Sequence, residues 1–250
     1  MSSLAISGIV FGCIFGGALL GLAIRALLPE PHLAADSKDL VKLGMGLIAT
    51  MSALVLGLLI ASAKGSFDAQ RSELTQISAN VIFFDRILAR YGPETKEARE
   101  LLRSSVVNAL DRIWPEDSSR PSQVEGTAAS EAIFDRILEL SPKNEAQRTL
   151  QAQALKLATD VAQMRWLLFA QRGSSIPTPF LAILVFWLTI IFASFSLFAP
   201  ANATVIATLL VCALSVSGAI FLILELDRPF AGFIQISSAP LRNALEQLGR

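Results

Sequence analysis

Side chains able to do chemistry are few in this sequence, and their spacing narrows what they can do. The one histidine is His32, in a short loop beside Pro31, and the two cysteines, Cys13 and Cys212, fall inside widely separated apolar blocks. One imidazole and two distant thiols make neither a disulfide framework nor a zinc site. They leave few ligands for a transition metal and assemble no Cys–His or Ser–His nucleophile. Both cysteines are read as small core residues. Glu225 and Asp227, at the end of the last apolar block, have the chemistry to hold a cation. Such carboxylates more often cap a helix or pair with an arginine, and Asp227 is read as the cap ahead of Pro229. There is no P-loop, and the glycines near the N-terminus lack the preceding strand of a dinucleotide fingerprint. No catalytic, metal or cofactor set emerges, so an enzyme is not expected. With 21 basic and 21 acidic residues the net charge is zero, and no basic stripe suggests nucleic acid.

Small residues are the next pattern. Gly8, Gly12 and Gly16 recur at spacing four in the first apolar block, with Gly17 and Gly21 beside them. Small residues in such rows let helix backbones approach closely in lipid. Two readings stand: packing inside the chain, and an interface between subunits. In the second block Gly46, Thr50, Ala53, Gly57, Ala61 and Lys64 share one face, while Leu47, Leu54, Leu56, Leu58 and Leu59 cover the rest. That face is either a helix-packing surface or the wall of a pore, since apolar constrictions can gate by dewetting. No charged residue lies deep in any block, which counts against an ion-coupled pump and against intramembrane hydrolysis.

The elements that position these residues follow from hydropathy. The 250 residues are 53% hydrophobic and only 17% charged, with a mean hydropathy of +0.55; a soluble domain carries about 25% charged residues. The apolar residues gather in four blocks, at about 4–28, 43–63, 180–198 and 204–224, each near the roughly 20 residues a spanning helix needs. The first has no Lys or Arg before it and outruns a signal-peptide core, so it is expected to be retained. Four spans put both termini and the insert on one side. That side carries Lys64, Arg71, Arg165, Arg172, Arg228, Arg242 and Arg250, against Arg25, Lys38 and Lys42 on the other. The excess of Lys and Arg places the insert and both termini in the cytoplasm. The expected organisation is spans one and two over 1–63, a cytoplasmic helical domain over 64–176, spans three and four over 177–225, and a cytoplasmic tail over 226–250.

The insert reads as helices. Leu74, Ile77, Val81, Phe84, Leu88 and Tyr91 step by three and four, and Gly92-Pro93 stops the run. Ala98, Leu101, Leu102, Val106, Ala109 and Ile113 form a second apolar stripe, and Leu150, Ala154, Leu157, Val161, Met164 and Leu168 a third. Ser141-Pro142 is the expected start of the helix bearing the third stripe. Residues 116–127 form a polar loop, and a single glycine near residue 65 is too little to separate the second span from the helix after it. Phe84-Asp85-Arg86-Ile87-Leu88 recurs as Phe134-Asp135-Arg136-Ile137-Leu138, either a duplicated hairpin or a coincidence of helical composition.

Several segments carry a resemblance. LVLGLLIASAKGSFDAQRSEL (54–74), FDRILARYGPE (84–94), the proline-rich lead-in to the third span with Trp187, and LELDRPFAGFIQISSAPLRNALEQL (224–248) resemble the bacterial DUF4239 family, also described as bestrophin-like. The topology is similar to that of bestrophins. So are Leu56-Gly57 followed by Ser66-Phe67-Asp68, and Pro229-Phe230 with Gly232 after the last span. The resemblance implies an all-α fold: four transmembrane helices with an inserted cytoplasmic helical bundle, in a bacterial inner membrane. It implies a homo-oligomeric ion channel, pentameric, passing small ions, with the second span along the axis. The acidic run that binds calcium in animal bestrophins is reduced to Glu225 and Asp227, so calcium gating is not implied. The alternative is a non-conducting scaffold whose bundle binds a partner. Matching Leu-Gly puts Thr50, Leu54 and Leu58 inward; matching Ser-aromatic-Asp puts Ala53, Gly57 and Ala61 inward. The expected narrow part is Thr50, Leu54, Gly57, Leu58 and Ala61. Glu225, Asp227, Pro229, Phe230 and Gly232 are expected to be structural, with Phe230 packing back on the bundle and Gly232 permitting close approach or a positive φ.

Overall fold

The computed structural model describes residues 2–27, 29, 35–115, 128–170 and 176–249, less the side chains at 35–37, 128–130 and 169. His32, the loop at 116–127, Arg172 and Arg250 lie outside the described residues. The described elements are helical: α1 (Ser3–Leu27), α2 (Ala35–Tyr91), α3 (Lys96–Ile113), α4 (Ala128–Leu138), α5 (Glu145–Ala170), α6 (Thr178–Leu197), α7 (Ala203–Leu226) and α8 (Ala239–Gln247). Among them α1, α2, α6 and α7 are long and apolar enough to cross a membrane. The chain divides into two units, Met1–Ser66 with Ser174–Arg228, and Phe67–Gly173 with Pro229–Arg250.

The first unit is built on α1, which packs along α6 and α7. Val10, Ile14 and Ala18 of α1 meet Leu184, Leu188 and Phe192 of α6 and Ala213, Ile220 and Ile223 of α7, and α2 adds Leu59 and Ala63. The α6–α7 connection is set by Asn202. Its side chain accepts from the Val205 N–H at 2.8 Å and caps α7, which satisfies one of the donors orphaned at a helix start. Arg25, in the last turn of α1, donates to the Ala199 carbonyl just past α6.

The second unit is a helical bundle. α2 runs without interruption through Gly65 to Tyr91, because a glycine costs only about 1 kcal/mol inside a helix. It stops where Gly92 takes φ 139° ahead of Pro93. Ile77, Val81, Phe84 and Leu88 of α2 pack with Ala98, Leu102 and Val106 of α3, Ile133 and Ile137 of α4, Ala154 and Leu168 of α5, and Leu241 and Leu248 from the C-terminal segment. One helix start differs from expectation. α5 begins at Glu145, not at Ser141-Pro142. Asn144 wins because its side chain accepts from the Gln147 N–H at 2.8 Å, and Ser141-Pro142 stays in the non-helical connection between α4 and α5. The two Phe-Asp-Arg-Ile-Leu segments have different surroundings: Asp85 is buried, Asp135 exposed.

Candidate functional site

α2 carries two opposed faces through the first unit. Ser52, Leu59 and Ala63 are buried, and at about 100° per residue they fall within roughly 40° of one another. Thr50, Leu54, Gly57, Leu58 and Ala61 lie on the opposite side, and all are exposed in the single chain, Leu54 at 66% and Leu58 at 62%. Ala53 and Gly46 are exposed as well. Among the described residues nothing covers this face at Gly46 or Gly57, where an added Cβ would meet nothing within 4 Å. The Thr50 hydroxyl donates to the Gly46 carbonyl at 2.9 Å, and Ser52 to Ile48 at 2.8 Å. Both polar groups are thus satisfied inside the helix, and what the Thr50 side presents outward is weakly polar.

The glycines of α1 separate into two sets. A Cβ on Gly17 would lie 2.7 Å from Thr189 Cγ2 and 3.2 Å from its carbonyl oxygen; on Gly21 it would meet the Ala193 carbonyl oxygen and, at 3.0 Å, Ser196 Cβ. These two let α1 and α6 touch at the backbone. Gly8, Gly12 and Gly16 lie on another face, where an added Cβ has nothing within 4 Å. The cysteines correct the expectation of core residues: Cys13 and Cys212 are both exposed. A spanning helix has an apolar exterior, so a small apolar side chain is as well placed outward as inward.

The segment after α7 turns on the residues singled out there. Glu225 is buried and Asp227 occupies the C-cap, its N–H donating to Ile223 at 3.1 Å. Both carry interactions of their own. Among the described residues no group of three His, Cys, Asp or Glu could hold a metal. Pro229 accepts from the Ile236 N–H at 2.8 Å, closing a loop in which Gly232 takes φ 102°. Phe230 stands edge-on to Trp114, with ring centroids 5.9 Å apart, and the Trp114 indole N–H donates to the Ile236 carbonyl at 2.9 Å.

A buried ion pair completes the second unit. Asp85 receives Arg99 Nε at 2.7 Å and Nη2 at 2.9 Å, a two-pronged contact that raises the Arg99 pKa above its ordinary value, chiefly through this hydrogen bonding. The Gly249 N–H donates to the same carboxylate at 3.2 Å, and Arg103 holds the Leu248 carbonyl at 3.2 Å. This cluster lies outside the site residues expected from the sequence. Its signal is that Asp85 lies on the Val81–Phe84–Leu88 stripe, an inward position for a charge.

The match to known proteins rests on the whole arrangement. The model of the Bestrophin-like domain family matches residues 12–241, from the first span through the start of α8. The chain belongs to that family. Among solved structures, it is similar to a bacterial bestrophin homologue from Klebsiella pneumoniae, a crystal structure of a variant with one mutation. The TM-score is 0.68 at 13% identity, over 97% of this chain and 98% of that one. At that identity the likeness is one of fold. No curated protein matches the sequence.

Proposed function

We propose that this Bestrophin-like protein is a homo-oligomeric ion channel of the bacterial inner membrane, with both termini and the 64–176 insert in the cytoplasm. In this reading α2 lines the axis, and Thr50, Leu54, Gly57, Leu58 and Ala61 form its narrow part. The observation that carries it is the exposed face of α2. The residues that the two bestrophin-like registers turn inward, Thr50, Leu54 and Leu58 or Ala53, Gly57 and Ala61, are all directed away from the chain's own buried face. One helix face cannot enclose a pore, so the reading requires several copies; five is the number the family resemblance implies. Leu54 and Leu58 would then recur as rings around the axis, closing it by dewetting rather than by charge. Gly8, Gly12 and Gly16, open in the single chain, would meet a neighbouring copy, where small side chains allow close helix contact. Glu225, Asp227, Pro229, Phe230 and Gly232 would fix the chain's return from the last span to the bundle.

The test is ion flux into liposomes. Leu54→Ser should wet the constriction and raise flux above wild type, and Leu54→Trp should bring it to background. If wild type and Leu54→Ser both match empty liposomes, with insertion and oligomer confirmed, the channel reading fails and the non-conducting scaffold takes its place.

A further inference from the structure

The second unit contains a space that the pore reading does not use. A cavity of about 100 Å³ lies among α2, α3, α4, α5 and α8. One water needs only about 10–15 Å³ of such space, and gaps larger than a water are few in a packed interior. The sequence explains why the helices leave it open. Ser105 and Ala109 on α3, and Ala158 and Ala162 on α5, all line the cavity. The members of each pair are four residues apart and so neighbours on one helix face, and their short side chains leave unfilled what longer ones would occupy. The floor is apolar: Val81, Phe84, Val106, Ile133 and Leu241 line it and are buried. Asn108 and Arg112, also in the lining, are exposed, and Ser105 is half-buried. The cavity therefore meets solvent along a polar edge of α3, with the apolar wall deeper. Arg165, half-buried in the same lining, already has an interaction of its own.

We propose that this cavity binds a small uncharged molecule with a ring-sized apolar body and one hydrogen-bonding group, of the aryl alcohol kind. Three features select that chemistry. The size does: an apolar cavity of roughly 150 Å³ accommodates benzene, and one of about 100 Å³ with an open edge takes a single ring. The floor does, because aliphatic and aromatic side chains hold an apolar body without asking it for hydrogen bonds. Water against Val81, Phe84 and Ile133 lacks the polar partners that fix it, so a ring displaces it at a gain. The distribution of polarity does: a hydroxyl at the edge reaches Ser105, Asn108 and solvent, while a charge carried to the floor would lose its hydration without a partner. A nucleotide or a bare phosphate fits poorly for the same reason. The inference stands on the second unit alone and is independent of ion conduction.

The experiment is calorimetric titration of the full-length protein in nanodiscs with benzyl alcohol. Empty nanodiscs of the same lipid are subtracted, which removes partition into the bilayer. Saturable binding of one benzyl alcohol per chain is expected. Benzoate, its charged counterpart, should bind about tenfold more weakly or less, and glycerol, which has hydroxyls and no ring, should not bind. Ala158→Phe, which fills the cavity from α5, should abolish binding while the protein still melts cooperatively. Ala109→Leu fills it from α3 by a smaller change and should weaken binding about tenfold or more. Val107→Phe, exposed on α3 and outside the lining, should bind as wild type does. The proposal is overturned by absence of saturable binding, by benzoate or glycerol binding as tightly as benzyl alcohol, or by an Ala109→Leu protein that binds as wild type does. Equal losses in Val107→Phe and Ala109→Leu also overturn it, because the site would then lie outside the cavity.

Discussion

Replacing Asp85 with alanine removes the acceptor of two Arg99 hydrogen bonds and of the Gly249 N–H. The carboxylate is 2% exposed and the Arg99 side chain 24%, so the stranded guanidinium is only partly reached by water. Breaking a fully buried pair costs about 3–5 kcal/mol; discounting for the access Arg99 keeps gives about 2–4 kcal/mol. For a chain of this length that is a fall in Tm of roughly 4–16 °C, read by thermal unfolding in detergent. The same change releases the Gly249 N–H, so amide exchange at Gly249 should quicken. Asp85→Ala with Arg99→Met should recover at least half of the lost Tm, because it removes the uncompensated cation rather than adding a second lesion. A single-variant shift below about 1 °C, or a double variant as unstable as the sum of the singles, would refute the assignment of Asp85–Arg99 as a coupled buried pair.

Gly21→Val should lower thermal stability by about 1–3 kcal/mol, an overpacking cost, because its Cβ would strike the Ala193 carbonyl; a stability equal to wild type means α1 and α6 do not touch there. Gly12→Leu, whose Cβ would meet nothing within 4 Å among the described residues, should leave folding intact and alter oligomer size by size-exclusion light scattering; an unchanged oligomer would mean this row looks at lipid. Gly232→Val forces a β-branched residue to φ 102°, a strain of about 1–3 kcal/mol, and should depress the melting temperature; a melt identical to wild type removes the structural role given to Gly232.

Much of the helical layout is legible in the sequence because each boundary has a local cause. Gly92-Pro93 ends α2 whatever lies beyond it, and the single Gly65 is too weak to break it. Where two local signals compete, pattern alone misleads: Ser141-Pro142 and Asn144 are both plausible helix starts, and the side-chain cap of Asn144 decides. α8 carried a signal, Pro240 followed by Leu241, Ala244, Leu245 and Leu248 at three-four spacing. Asp85 carried one too, a charge on an apolar stripe. Which of the α1 glycines meet α6 was not legible. Spacing alone puts Gly17 and Gly21 on a different face from Gly8, Gly12 and Gly16, but which of the two faces meets α6 is set by the position of α6, which spacing within α1 cannot encode. The cysteines show the same limit, since in a spanning helix an apolar residue is no sign of burial. For the proposed pore the missing information is of that kind, because in that reading what faces Leu54 would lie on other copies of the chain.

The most direct test of the account is therefore single-particle imaging of the protein in nanodiscs, at a resolution that places α2. The account predicts a closed ring of copies, with Thr50, Leu54, Gly57, Leu58 and Ala61 of every copy turned to a common axis and Gly12 against a neighbour. A single chain in the disc, or a ring in which that face of α2 looks outward to lipid, would contradict it.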